Sequence, residues 1–137
     1  MRDNIIQKKS YEIALNVVVL YRKLCKANEF VLSKQLLRSG TSIGANVEEA
    51  LAGQSRADFI SKTSIASKEA RETNYWLRLL RDSRTIDAAE IEPLRIESES
   101  IQNILTSIVK TSVTAKNPKS KIQNSKSLHN DNKGLSQ

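Results

Sequence analysis

Residues 59–80 carry a pattern that few folds accept. Phe59, Thr63, Ala66, Ala70, Thr73, Leu77 and Leu80 recur at alternating steps of four and three, the spacing that lines side chains along one stripe of an α-helix packed on other helices. Ile65, Trp76 and Leu79 widen the stripe into an adjoining row. A half-buried strand would alternate at every second residue. Ser55 with Asp58 reads as a capping box at the start of this segment, so the chain is expected to hold a long helix over 56–83. One such helix must bury its stripe against others.

The partners are visible on either side. Between residues 10 and 26, Ile13, Ala14, Val17, Val18, Tyr21, Leu24 and Cys25 share a helical face, and Ala27-Asn28-Glu29-Phe30 supply a break. From 31 to 53, Leu36, Gly40, Ile43, Val47 and Ala50 keep the same period and stop near Gly53. Gly40 and Gly44 each weaken that helix by about 1 kcal/mol relative to Ala, a loss that close approach of another backbone would offset. Asp87 with Glu90 resembles a further capping box, but Pro93 falls three residues later. A short first turn that restarts at Pro93 is therefore expected, followed by a helix to about 111 with Leu94, Ile101, Leu105 and Ile108 on its apolar face. Short connections between four such segments predict an all-α, up-down-up-down antiparallel four-helix bundle. Its expected core is Val17, Leu36, Ile43, Val47, Phe59, Ala66, Leu77, Leu94, Ile101 and Leu105.

With 137 residues the chain has room for one such domain, residues 1–111. Residues 112–137 are dominated by Ser, Asn, Lys and Gln without an aromatic residue, the composition of a disordered basic tail. Four Gly and two Pro are too few for the turns of a β-sandwich. The formal charge is +7. Residues 1–110 contain 17 Lys and Arg against 14 Asp and Glu, and residues 111–137 contain five Lys against Asp131. Much of the excess thus sits in the tail. A lone Cys25 cannot close an internal disulfide, and no early stretch reads as a secretory signal, so a cytoplasmic location is expected. The longest apolar run, Val17 to Tyr21, is far short of the roughly 20 residues of a membrane span, and no membrane partner is expected.

Several chemistries lack their residues. His129 is the only histidine and lies in the tail, so a histidine base, a metal pair or a catalytic triad has no place in the bundle. Di-metal carboxylate bundles need Glu-x-x-His on two helices; Glu69 and Glu72 offer the carboxylates alone. Neither a GxGxxG nor a GxxxxGK[ST] motif occurs. No cofactor and no metal are expected, and the chain reads as a non-enzyme. An enzyme using Glu69 or Glu72 as its base is the weakest alternative.

Two polar rows remain. On the second helix Ser39, Ser42, Asn46 and Glu49 follow one another at steps of three, four and three, with Arg38 beside them. They form either a recognition surface or a set of hydrogen bonds between helices, with Glu49 paired to a cation such as Arg38. On the third helix Lys68, Arg71, Tyr75 and Arg78 share a face. That row is either a solvated stripe or a surface that grips phosphates while Tyr75 stacks on a base. Glu69 and Glu72 lie at a boundary, where ion pairing is the simplest role. Trp76 and Leu79 exceed what a single core must cover and are expected to meet a neighbouring subunit.

The stretches Arg38-Ser-Gly-Thr-Ser-Ile-Gly-Ala-Asn-Val-Glu-Glu-Ala50, Ser55-Arg-Ala-Asp-Phe-Ile60 and Ala70-Arg-Glu-Thr-Asn-Tyr-Trp-Leu-Arg-Leu-Leu80 resemble the bacterial four-helix-bundle proteins encoded in intervening sequences of 23S rRNA genes. The resemblance covers residues 8 to 112, with Ser42-Ile43, Asn46-Val47 and Glu49 standing where that family has its S-I-x-x-N-I-x-E core. It implies a bundle that assembles into a homopentameric ring. It also implies kinship with the accessory protein of diversity-generating retroelements, a basic pentamer that engages a reverse transcriptase and nucleic acid. The resemblance supplies no catalytic residues. The expected function is a non-catalytic homo-oligomer that binds RNA or DNA through a basic face. A structural oligomer with a polypeptide partner is the alternative.

Overall fold

The computed structural model describes residues 4–116. Among them are four α-helices, α1 (Ile5–Lys26), α2 (Leu32–Ala52), α3 (Arg56–Asp82) and α4 (Glu92–Lys116), with a 3-10 turn at Ala88–Glu90 before the last. Each helix packs on its neighbour in sequence, and α1 meets α4 to close the up-down-up-down bundle. Diagonal helices α1 and α3 therefore present outward faces on opposite sides.

Local chemistry sets the ends. Asn4 caps α1 by accepting from the Gln7 amide at 3.0 Å, which moves its start five residues ahead of the expected Ser10. Ser10 is instead buried within the helix, in the row Ile6, Ser10, Ile13, Val17, Leu20, Leu24. Its hydroxyl is satisfied by the Gln7 carbonyl at 3.1 Å, which lets a residue that resembles a cap sit in the core. After α1 the chain turns at Asn28, whose φ of 64° is left-handed, a conformation that Asn adopts more readily than most residues. The Glu29 carboxylate then accepts from the amides of Leu32 at 3.0 Å and Ser33 at 2.6 Å, placing a negative charge at the start of α2.

Ser55 caps α3 by accepting from Asp58 N at 3.1 Å. Asp87 caps the 3-10 turn through Ala89 N at 3.2 Å, and Pro93 falls in the first turn of α4, where its missing amide hydrogen costs nothing. The helix break before Pro93 is thus as expected. At the other end α4 runs to Lys116, so residues 112–116, assigned to the tail by composition, are helical. The remainder of the expected tail, 117–137, lies outside the described residues.

The core holds eight of the ten expected side chains: Val17, Leu36, Ile43, Val47, Ala66, Leu77, Ile101 and Leu105. Leu94 is only partly buried, because the chain enters α4 through the turn and Ile91, just ahead of the helix, takes the fully buried place. Phe59 is also half-buried. It stands with Ile6, Val47 and Leu105 on the wall of a cavity of about 50 Å³ at one end of the bundle.

The α1–α2 crossing is close where the two glycines fall. A Cβ on Gly40 would lie 2.8 Å from both Val17 methyls, and one on Gly44 would lie 3.2 Å from the Ser10 carbonyl oxygen.

Candidate functional site

The two flanks of α3 have different chemistry. On the α2 side, Arg38 reaches across to Glu69 at 3.2 Å and also pairs with Glu72. Glu72 additionally accepts from the Trp76 indole at 3.0 Å. The bond from Arg38, reinforced by the indole, holds the Glu72 carboxyl below its ordinary range, while the same pairing raises Arg38. Deeper in this seam the buried Thr73 hydroxyl stands 2.9 Å from that of Ser39.

The remaining polar row of α2 bonds within its own helix. Ser42 donates to the Arg38 carbonyl at 2.6 Å and Asn46 donates to the Ser42 carbonyl at 2.9 Å. Glu49 is exposed and is not the partner of Arg38. The expected Glu49–Arg38 pair is corrected by geometry: both are on α2, and the carboxylates across the seam are the ones within reach. Of this row only Arg38 bridges to α3, while Ser42 and Asn46 bond back along α2 and Glu49 is exposed. Glu69 and Glu72 are the ion-paired boundary anticipated for them.

On the outward and α4 side lie Lys68, Arg71, Tyr75 and Arg78, all exposed. Among the described residues none of the three cations has a carboxylate within ion-pair distance, unlike Lys23, Arg38, Arg81 and Arg95. Arg78 donates from Nε to the Asn74 side-chain oxygen at 2.9 Å, and its guanidinium carbon stands 5.7 Å from the centre of the Tyr75 ring. The Asn74 amide nitrogen is committed to α4, at 3.2 Å from the Arg95 carbonyl and 3.1 Å from the Ser98 hydroxyl. Tyr75 meets Trp76 edge-on, with ring centres 5.1 Å apart and planes at 67°.

Asn74 is the member of this site that sequence reasoning passed over. Its only signal was a step of four to Arg78, which cannot be separated from ordinary helix spacing.

A second surface was missed as well. Tyr11, Leu15 and Val19, at steps of four along α1, are 63%, 51% and 49% exposed, and the exposed cations Lys8, Arg22 and Lys26 flank them. Trp76, by contrast, is half-buried and packs on the core, and Leu79 is the more exposed of that pair. The four-residue step of the α1 row was legible, but it merged with the core period beside it.

Residues 2–107 match the family described as 23S rRNA-intervening sequence protein. The chain belongs to that family. A crystal structure of a protein with unknown function from the S23 ribosomal protein family of Bacteroides thetaiotaomicron is 51% identical. The match spans 77% of this chain and 98% of that one, with a TM-score of 0.74. The similarity confirms the bundle that periodicity predicts. No curated protein matches the chain.

The description of the 23S rRNA-intervening sequence protein family assigns no chemistry to the seam of Arg38, Glu69 and Glu72. Among the described residues no helix is long and apolar enough to cross a membrane, and no cluster of three His, Cys, Asp or Glu stands ready for a metal ion.

Proposed function

We propose that this chain is a non-catalytic, homo-oligomeric binding module of the cytoplasm whose α3 face takes RNA or DNA. The carrying observation is the row Lys68, Arg71 and Arg78, exposed cations on one helix face that, among the described residues, have no carboxylate within ion-pair distance. Phosphate binding draws on free positive charge of this kind and carries no sequence information by itself. Repetition of the row in an oligomer adds weak contacts into useful avidity.

Association draws on the apolar stripe of α1 on one copy and the Leu79 and Trp76 flank of α3 on the next. Two unlike surfaces generate a ring when the rotation closes, and the resemblance to pentameric relatives gives the number five. This arrangement leaves the α4 flank of α3, with Arg71 and Arg78, open to a ligand.

The test is a double reversal, Arg71→Glu with Arg78→Glu, read by binding to RNA and DNA across a salt series. The parent protein should lose affinity steeply with salt, with a log–log slope of about 0.9 per phosphate neutralised on duplex. The reversed protein should keep its helical spectrum and lose both the binding and the slope. The second reading, a polypeptide partner, is favoured by the α1 stripe. It predicts a complex that persists as salt rises and is insensitive to the two reversals.

A further inference from the structure

We infer that the α3 face recognises unpaired bases, so that its ligand is single-stranded RNA or DNA and not duplex, with Tyr75 as the stacking plane and Arg78, over one face of that ring, as an oriented cation. This inference rests on the nucleic-acid reading above and goes beyond it in naming the strand.

Tyr75 leaves 45% of its surface in water at the centre of the outward face of α3, and Trp76 and Arg78 pack against it. Trp76 packs against it in a T-shaped pair and is itself anchored through Glu72 to Arg38 of α2. On the other flank Asn74 spends its amide nitrogen on the Arg95 carbonyl and the buried Ser98 hydroxyl of α4. Its oxygen is thereby turned toward Arg78 and accepts from Nε. The guanidinium stands over one face of the ring, its carbon 5.7 Å from the ring centre, which leaves the opposite face for a base, while its terminal nitrogens keep no protein partner among the described residues. Three helices thus preorganise one aromatic plane and one cation, which reduces the ordering cost that flexible surface side chains would incur on binding.

The geometry discriminates between strands. From Lys68 to Arg78 the helix rises about 15 Å, a straight ridge of cations with the ring between them. In duplex the base faces are occupied by their neighbours, so a ring on a convex helix meets only backbone and groove edges. An unpaired base presents its face, and stacking on an aromatic side chain is tolerant of base identity. Arg71 and Lys68 then take the flanking phosphates. Asn74 is a positioning residue, acting only through Arg78.

The full chain should be titrated with oligo(dT), oligo(U), an abasic strand of the same length and a blunt duplex. Anisotropy of the labelled ligand would be followed together with emission from Trp76, the single tryptophan. The expected result is that one or both base-bearing single strands bind about tenfold or more tighter than the abasic strand and the duplex, with a change in Trp76 emission. Tyr75→Ala should reduce them to the abasic level, whereas Tyr75→Phe, which keeps the ring, should retain the preference. Asn74→Ala should narrow it while leaving the helical spectrum unchanged.

Equal binding of duplex and single strands, or a Tyr75→Ala protein that binds as the parent does, overturns the inference while leaving the nucleic-acid reading standing. Absence of binding to every polymer at low salt overturns both.

Discussion

Gly40 shows how one hydrogen atom in place of a side chain sets the distance between two helices. Its missing Cβ would stand 2.8 Å from both methyls of Val17 and 3.1 Å from the Val17 Cβ, and a β-branched neighbour has little rotamer freedom with which to yield. Gly44, one turn on, faces the backbone of Ser10, so the crossing is tight over a full turn. Exchanging Gly40 for Leu should destabilise the bundle by about 1–3 kcal/mol through overpacking. An exposed glycine would give the opposite sign, since Leu has the better helix propensity by nearly 1 kcal/mol. The direction of the shift in thermal midpoint distinguishes the two.

Among elements, the α2–α3 seam depends on pH in a way that Trp76 can report. Arg38 lies between Glu69 and Glu72, and the guanidinium holds Glu72 below its ordinary value of 4.5. A carboxyl depressed on folding contributes stability that is present above its unfolded value and lost as pH falls through the folded one. Acidification below about pH 4.5 should therefore lower the melting temperature. Asp82, paired with Arg81, and Glu92, held by Arg95 and Arg81, are shifted in the same direction and add to the acid sensitivity at the α3–α4 end. Protonation of Glu72 is separable from theirs, because the Trp76 indole donates to it. A change in Trp76 emission over the same acid range should appear in the parent and shift toward higher pH in Arg38→Met, which removes the cation that depresses Glu72.

For the whole molecule, the question is what covers Tyr11, Leu15 and Val19. A side of α1 that points away from the core carries three large apolar residues about half in water, with a cation near each end. Sedimentation of the full chain should give a mass several times that of the 15.3 kDa monomer. Leu15→Glu combined with Val19→Glu should return it to monomer while the helical spectrum persists, since neither side chain belongs to the buried row. A parent chain that sediments as a monomer at micromolar concentration would defeat the oligomer reading.

The helices and most of the core were written in the linear pattern. The four-three rows of α2 and α3 went into the core almost intact, Phe59 excepted, because a helix that must bury one stripe advertises it at every turn. The cap at Ser55 and the break before Pro93 were local chemistry and equally legible. The expected start of the first helix at residue 10 fell short because the buried row already begins at Ile6 and continues through Ser10, behind the cap at Asn4. Leu94 misled because only the path of the turn decides that Ile91 fills the core. Partnership across helices was not legible either. Arg38 met Glu69 and Glu72, not Glu49, and Asn74 acquired its role from α4. Spacing along a chain fixes which side of a helix a residue occupies, whereas what stands opposite depends on how helices cross, and that is a property of the packed bundle alone.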